Sequence, residues 1–162
     1  CPVVLRGIWR IRKFIIRDLL MKKIPSFYKN HDELKTGLHE CGTSHGVTTW
    51  DLRFKTPNGG DYLPVAAMHT VEHLMATVLR NSGNGDKVIY FGPMGCRTGF
   101  YFLTVDMDYE RVKTLLIDSL EAVPAFTEIP GNKREECGNY LEHDLEGAKR
   151  ECKNYLEILK SL

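Results

Sequence analysis

Apolar positions recur along this chain at two spacings, and the two spacings separate strands from helices. Val47–Phe54 (Val-Thr-Thr-Trp-Asp-Leu-Arg-Phe) is dense in β-branched and aromatic residues and predicts a strand. Lys55–Asp61, with its Pro-Asn-Gly-Gly run, predicts a loop. Val65–Arg80 contains neither Gly nor Pro and stops before Asn81-Ser82-Gly83, which predicts a buried helix. Lys87–Phe91 and Thr98–Val105 predict two further strands joined by a Gly92-Pro93-Met94-Gly95-Cys96 turn. A helix should follow, with Asp106 or Asp108 at its start and Val112, Leu115, Leu116 and Leu120 as its apolar stripe. Ile129-Pro130-Gly131-Asn132 breaks the chain again. A last helix is predicted over Asn139–Leu159, because Leu141, Leu145, Ala148, Cys152, Tyr155 and Leu159 recur at alternating three- and four-residue steps. Strands joined by short turns, without regular βαβ alternation, predict an α+β fold: one domain, a mainly antiparallel sheet packed with helices as an α/β sandwich.

Composition narrows this only a little. A chain of 162 residues is one domain, and 43% hydrophobic with 27% charged residues is ordinary for a globular protein. The net charge of +1 gives no global field for nucleic acid or an anionic membrane, but it is unevenly spread. Residues 1–24 carry seven Lys/Arg and one Asp, leaving 15 basic and 20 acidic residues after them. Arginines interrupt every apolar run of this basic segment, which argues against a secretory signal, and no run approaches the 18 apolar residues of a membrane span. Met21-Lys22-Lys23 reads as a natural start, so residues 1–20 are expected to be a non-native or start-site extension and 21–162 the functional domain. An interfacial basic helix, or nucleic-acid binding through Arg6–Lys23, is the weaker alternative. Neither nucleic acid nor membrane is expected as a partner. Five cysteines, at 1, 41, 96, 137 and 152, form no disulfide framework. They are expected to be reduced thiols of a cytoplasmic protein, with one or two left for metal or catalytic work and Cys152 buried on the last helix's stripe.

The sharpest local signal is His69-Thr70-Val71-Glu72-His73. Residues four apart share a helix face, so His69 and His73 can offer two imidazoles to one metal, with Glu72 close enough to exchange protons with whatever binds there. A tetrahedral catalytic site needs three protein ligands and one open position. Cys96 and Cys137 are the thiolate candidates, each beside a glycine that allows close backbone approach. Cys137, placed just before the last predicted helix, should gain from the helix amino terminus. Cys96, at a strand–turn–strand corner beside Arg97, can have a lowered pKa and act as a base.

Four blocks, in order, carry a resemblance to a known family. They are Trp50-Asp51-Leu52-Arg53-Phe54; His69-Thr70-Val71-Glu72-His73-Leu74; Gly92-Pro93-Met94-Gly95-Cys96-Arg97-Thr98-Gly99-Phe100-Tyr101; and Glu136-Cys137-Gly138-Asn139-Tyr140-Leu141-Glu142-His143-Asp144-Leu145. With Ser26-Phe27 and His31 before them, the chain from about Ile24 onward resembles the S-ribosylhomocysteine lyase (LuxS) family, whose members make the autoinducer-2 precursor of quorum sensing. The resemblance implies that His69, His73 and Cys137 bind one divalent metal per subunit, iron(II) natively with zinc or cobalt as substitutes. It implies Glu72 and Cys96 as the acid/base pair, and Ser26, His31 and Arg53 as substrate contacts. It also implies a homodimer with shared active sites.

The implied reaction converts S-ribosylhomocysteine to homocysteine and 4,5-dihydroxy-2,3-pentanedione. The thioether sits at ribose C5, so no thiolate can leave until a carbonyl lies β to it. The carbonyl of the opened sugar must therefore migrate from C1 to C3 before β-elimination, each step removing a proton α to a carbonyl. Cys96 is expected to serve the early shuttles, and Glu72 the later shuttle and the elimination. Tyr90-Phe91-Gly92 stands where the family commonly has an Asp-Ile-Ser type sequence beside the substrate's amino-acid end, and Asn30-His31-Asp32 replaces a commoner Asp-His-Thr. Two rival readings share the histidines. An inverzincin-like metallopeptidase uses the same H-x-x-E-H spelling but leaves the Cys-Gly-Asn block unexplained. A structural metal-binding module would close all four positions with Cys or His, whereas three ligands are visible.

Overall fold

β1 (Gly37–Ser44), β2 (Val47–Arg53), β3 (Val88–Pro93) and β4 (Gly99–Val105) form one antiparallel sheet in the order β1-β2-β4-β3. The computed structural model describes residues 28–162, and these strands lie with α1 (Val65–Arg80), α2 (Tyr109–Ala122) and α3 (Leu145–Ser161) in one compact unit, His31–Leu162. The expected α+β sandwich is the one observed. The expectation for residues 1–20, and with it Ser26, lies outside the described residues. No helix among the described residues is long and apolar enough to cross a membrane.

The two-residue period of the strands decides which face is covered. β4 buries Phe100, Phe102 and Thr104 and leaves Tyr101, Leu103 and Val105 partly exposed, while β2 points Trp50 and Leu52 the same way as Phe100 and Phe102. The helices close over that face with Val71, Leu74, Met75 and Leu79 of α1, Val112, Leu115, Leu116 and Leu120 of α2, and Ala148, Cys152, Tyr155 and Leu159 of α3. Each large apolar side chain fully buried there contributes about 1.5–3 kcal/mol. Two polar groups that enter the core are paired: the Trp50 indole N–H donates to Thr104 Oγ1 at 2.8 Å, and the Tyr155 hydroxyl to the Gly37 carbonyl at 3.0 Å.

Three elements differ from the sequence expectation. The sequence pattern does not predict β1: with two glycines and a bulge at Cys41 its signal is weak, and pairing with β2 creates the strand. β3 runs on through Gly92-Pro93, so the turn is the shorter Met94–Arg97, closed by the Arg97 N–H on the Met94 carbonyl at 2.9 Å. The last helix begins at Leu145 rather than Asn139, because Asp144 caps it, its Oδ1 accepting from the Gly147 N–H at 2.8 Å. Leu141 therefore leaves the apolar stripe and is 79% exposed. Asp144→Ala should lower stability by about 1 kcal/mol, read as a drop of a few degrees in the thermal unfolding midpoint.

One feature of the uncovered sheet face prepares the site. Asp51 and Arg53, each 2% exposed, form a two-point ion pair, Nε to Oδ1 at 3.0 Å and Nη2 to Oδ2 at 2.6 Å. Opposite Arg53 stands Gly99, where a Cβ would run into the Leu52 carbonyl of β2. Only glycine lets β2 and β4 approach this closely at the foot of the Cys96 turn.

Candidate active site

Two clusters of chemistry-bearing side chains form, and the first is built around α1. The helix presents His69 and His73 one turn apart, and the segment 130–144 folds over them. His69 Nδ1 lies 2.9 Å from the Glu142 carbonyl and His73 Nδ1 lies 2.8 Å from the Pro130 carbonyl. A carbonyl can only accept, so both Nδ1 atoms carry a proton, and in the neutral imidazole this puts the lone pair on Nε2, the tautomer that ligates metal. Gly131, at φ +68° and with His73 Nδ1 3.4 Å from where a Cβ would be, permits this close approach. The same segment delivers Cys137, whose Sγ sits 3.4 Å from His69 Nε2.

His69, His73, Cys137 and also His143 converge, their ligand atoms all within 4.8 Å of one another. Around one tetrahedral ion, with metal–nitrogen bonds of about 2.0–2.1 Å and a metal–sulfur bond of about 2.3 Å, donor atoms stand roughly 3.3–3.6 Å apart. The imidazole-and-thiolate set suits a divalent metal of borderline softness, so the residues present fit the ion the resemblance implies. The sequence does not single out His143 as a donor; the only hint is a histidine six residues after Cys137 within the fourth block. Its presence corrects the count of three visible ligands that weighs against a structural module. Burial, with the neighbouring His69 and His73, holds the His143 pKa below the usual imidazole value. The expected help to Cys137 from a helix amino terminus is also corrected, since α3 starts eight residues later.

Glu72 lies on the same helix, half-buried between the two histidines in sequence, and its carboxylate makes no hydrogen bond to another described residue. It is not one of the four converging donors.

The second cluster surrounds Cys96. The turn that carries it is pinned by backbone bonds: the Met94 N–H to the Gly99 carbonyl at 2.9 Å, the Leu63 N–H to Arg97 at 2.9 Å, and the Phe54 and Lys55 N–H groups to Thr98 at 3.0 and 2.9 Å. Beneath the turn Arg53 Nη1 donates to Thr98 Oγ1 and lies 3.9 Å from Cys96 Sγ. Having accepted from Arg53, the Thr98 hydroxyl has its own proton to give to Sγ, 3.1 Å away. Partial burial pushes the Cys96 thiol up. The Thr98 hydroxyl and N–H and the Arg53 charge outweigh it, leaving the pKa below the ordinary cysteine value. The lowered pKa expected of Cys96 is thus present, but its sources are Thr98 first and then Arg53, not Arg97. Arg97, itself at φ +59°, turns outward over the Tyr62 ring.

Cys96 opens into a cavity of about 340 Å³ lined also by His31, Pro57, Asn58, Tyr62 and Thr98, so His31 and Cys96 face one space. Arg53 is buried beneath it and meets the cavity through Thr98 and Cys96. The Tyr90-Phe91-Gly92 departure is a matched pair, because the Tyr90 hydroxyl occupies the space where a residue-92 side chain would start. Cys152 behaves as an inert core thiol, pushed up to about 12 by burial and by Glu151.

Comparison with known proteins agrees with this chemistry. The family described as S-Ribosylhomocysteinase (LuxS) matches residues 24–161. An S-ribosylhomocysteine lyase of Borreliella burgdorferi is 45% identical over 150 residues, covering 88% of this chain and 95% of the relative. One from Phocaeicola vulgatus is 44% identical over 151 residues, covering 88% and 93%, and one from Desulfotalea psychrophila is 41% identical over 150 residues, covering 88% and 94%. The chain belongs to the S-ribosylhomocysteinase (LuxS) family.

Proposed function

We propose that this chain is a metal-dependent carbon–sulfur lyase that cleaves S-ribosylhomocysteine to homocysteine and 4,5-dihydroxy-2,3-pentanedione. The observation that carries this reading is the set of imidazoles anchored through Nδ1 and the Cys137 sulfur converging on one helix face, within a chain of this family. His69, His73 and Cys137 would hold the ion, with iron(II) as the native metal and zinc or cobalt as substitutes. Bound there, the ion supplies Lewis-acid stabilisation of the negative charge that builds on the substrate's carbonyl oxygen.

The protein's own groups move the protons. Cys96, made more acidic by Thr98 and Arg53, takes in its thiolate form a proton at Sγ from the carbon next to a carbonyl and returns it one carbon along, so the carbonyl migrates without net redox change. Glu72 performs the later shuttle and removes the last α-proton, whereupon the electron pair forms the new double bond and homocysteine leaves as thiolate. His31, and Ser26 before it, contact the substrate, and Arg53 contributes through Cys96.

A cytoplasmic homodimer with shared sites completes the proposal, the product serving as autoinducer-2 precursor. The partly exposed Val47, Thr49, Tyr101 and Leu103, all on the uncovered face of the sheet, offer a surface for a second copy. The four described cysteines are all free thiols, which suits a reducing compartment.

The test is anaerobic: protein loaded with iron(II) or cobalt(II) receives S-ribosylhomocysteine, and free homocysteine is followed over time. Release that needs the metal, and that Glu72→Gln abolishes while leaving metal content unchanged, is the expected outcome. Absence of release from folded, metal-loaded protein would overturn the reading.

A further inference from the structure

Resting on the lyase reading, one donor of the metal group still has no role: His143. We infer that His143 flanks the open side of the ion's site and, through Nε2, accepts a hydrogen bond from the substrate hydroxyl that docks there, as a positioning residue and not a fourth ligand.

The protons around Thr70 fix which atom His143 offers. The Thr70 hydroxyl has one proton, and it goes to the Ala66 carbonyl at 2.9 Å. The same oxygen accepts from the Asp144 N–H at 2.9 Å. Toward His143 Nδ1, 3.1 Å away, Thr70 can therefore act only as acceptor, so Nδ1 carries the imidazole proton. In the neutral ring Nε2 is left as a lone pair, and the ligand atoms of the four residues lie within 4.8 Å of one another. This Nε2 can bind an ion or accept a hydrogen bond, and it can donate nothing.

Ring geometry separates these two uses. His73 stands nearly edge-on to both His69 and His143, at 78° and 81° with centroids 4.8 and 4.9 Å apart. His69 and His143 instead stack, 4.1 Å apart and inclined by only 23°. Only one ring of this stacked pair is needed, with His73 and Cys137, to make up three protein ligands beside an open position. Cys137 selects which one, because Sγ is 3.4 Å from His69 Nε2 but 3.9 Å from His143 Nε2, and only the first matches the spacing of donors on one ion. Anchoring agrees: His69 is held by a backbone carbonyl, as His73 is, while His143 hangs from a side-chain hydroxyl. The proposed reaction also requires the ion to keep an open position. The opened sugar brings a hydroxyl next to each carbonyl it forms, and an acceptor-only nitrogen beside the open position orients that hydroxyl.

The test compares His143→Phe, which keeps a flat ring on His69 but loses the acceptor, with His143→Gln, which restores an acceptor oxygen. Each is loaded with cobalt(II). Chelator competition measures metal affinity, and the visible spectrum follows titration with hydroxyacetone, which carries the hydroxyl–carbonyl pair without a leaving group. Both variants should hold one cobalt(II) per chain within about tenfold of the parent affinity. His143→Phe should weaken hydroxyacetone binding by about tenfold, the loss of one hydrogen bond, and lower kcat/KM by about 10²-fold, divided between a raised KM and a lowered kcat. His143→Gln should recover part of both. Cobalt affinity falling as far as in Cys137→Ala, with an altered spectrum before any hydroxyacetone is added, would make His143 a fourth ligand and overturn the inference. Parental kcat/KM in His143→Phe, or no recovery in His143→Gln, would overturn it too. Should the parent protein release no homocysteine, the lyase reading falls, and the hydroxyacetone titration decides His143 alone: weakened binding in His143→Phe upholds it and unchanged binding overturns it.

Discussion

Cys137→Ala is expected to strip the ion from the protein and abolish homocysteine release while leaving the fold intact. Losing a partner that only orients a ligand weakens metal affinity by about 10–100-fold, so losing the one sulfur donor of the group should weaken it by more than about 100-fold. The fold should survive because Cys137 sits on the surface segment 130–144, outside the core that the helices form on the sheet. Removal of a side chain there changes stability by no more than about 0.5 kcal/mol. Metal then separates the two proteins in the melt. The parent, at a free-ion concentration about 100–1,000 times Kd, gains about 2.7–4.1 kcal/mol, and Cys137→Ala should gain almost none of it. Metal content by elemental analysis and paired melts with and without ion measure this directly. Equal metal stabilisation in both proteins would mean that the three imidazoles suffice and that Cys137 is not a ligand.

How much of this is legible in the sequence follows from how local each signal is. α1 and its two histidines are readable, because helix period and ligand spacing lie within five residues. So are the apolar stripes of α2 and of α3 from Leu145 onward. The start of α3 is not, because Leu141 continues the stripe by spacing alone, and only the Asp144 cap and the pull of His143 toward Thr70 show that the helix has not begun. β1 escapes because a glycine-containing, bulged strand acquires its order from β2. The site shows the same division. Residue type and motif identify His69, His73, Cys96 and Cys137. The parts that set their chemistry are invisible, being backbone carbonyls at 130 and 142, a threonine hydroxyl one residue past His69, and an arginine 43 residues before Cys96. The nearest basic residue in sequence, Arg97, is the natural candidate for activating Cys96, yet its left-handed backbone turns it to Tyr62.

Cys96→Ala should lower turnover by about 10²–10⁴-fold with metal content unchanged, the contribution of one positioned proton-transfer group. The more telling variant is Thr98→Val, which keeps the thiol and removes the hydroxyl that relays Arg53's influence to it. Arg53 itself is a poor choice for this purpose. Replacing it would break its buried ion pair with Asp51, which has the same 2% exposure, at roughly 3–5 kcal/mol. The sign of the Thr98→Val effect follows from which form the hydroxyl stabilises. Thr98 donates to the thiolate, so the folded Cys96 pKa lies below the ordinary cysteine value and the reactive form is populated above that lowered pKa. Without the hydroxyl the pKa rises, and the low-pH limb of activity must move to higher pH. Near neutrality the variant is then slower because less of its Cys96 is ionised, and a thiol made about tenfold less acidic holds about a tenfold smaller thiolate fraction. Alkylation of Cys96 by iodoacetamide, followed across pH on the peptide that carries it, reads the same pKa without turnover. The two midpoints should move upward together. If the alkylation midpoint stays where it was while activity falls, Thr98 shapes the cavity around His31 and Cys96 rather than the charge on the sulfur, and the relay from Arg53 through Thr98 is wrong.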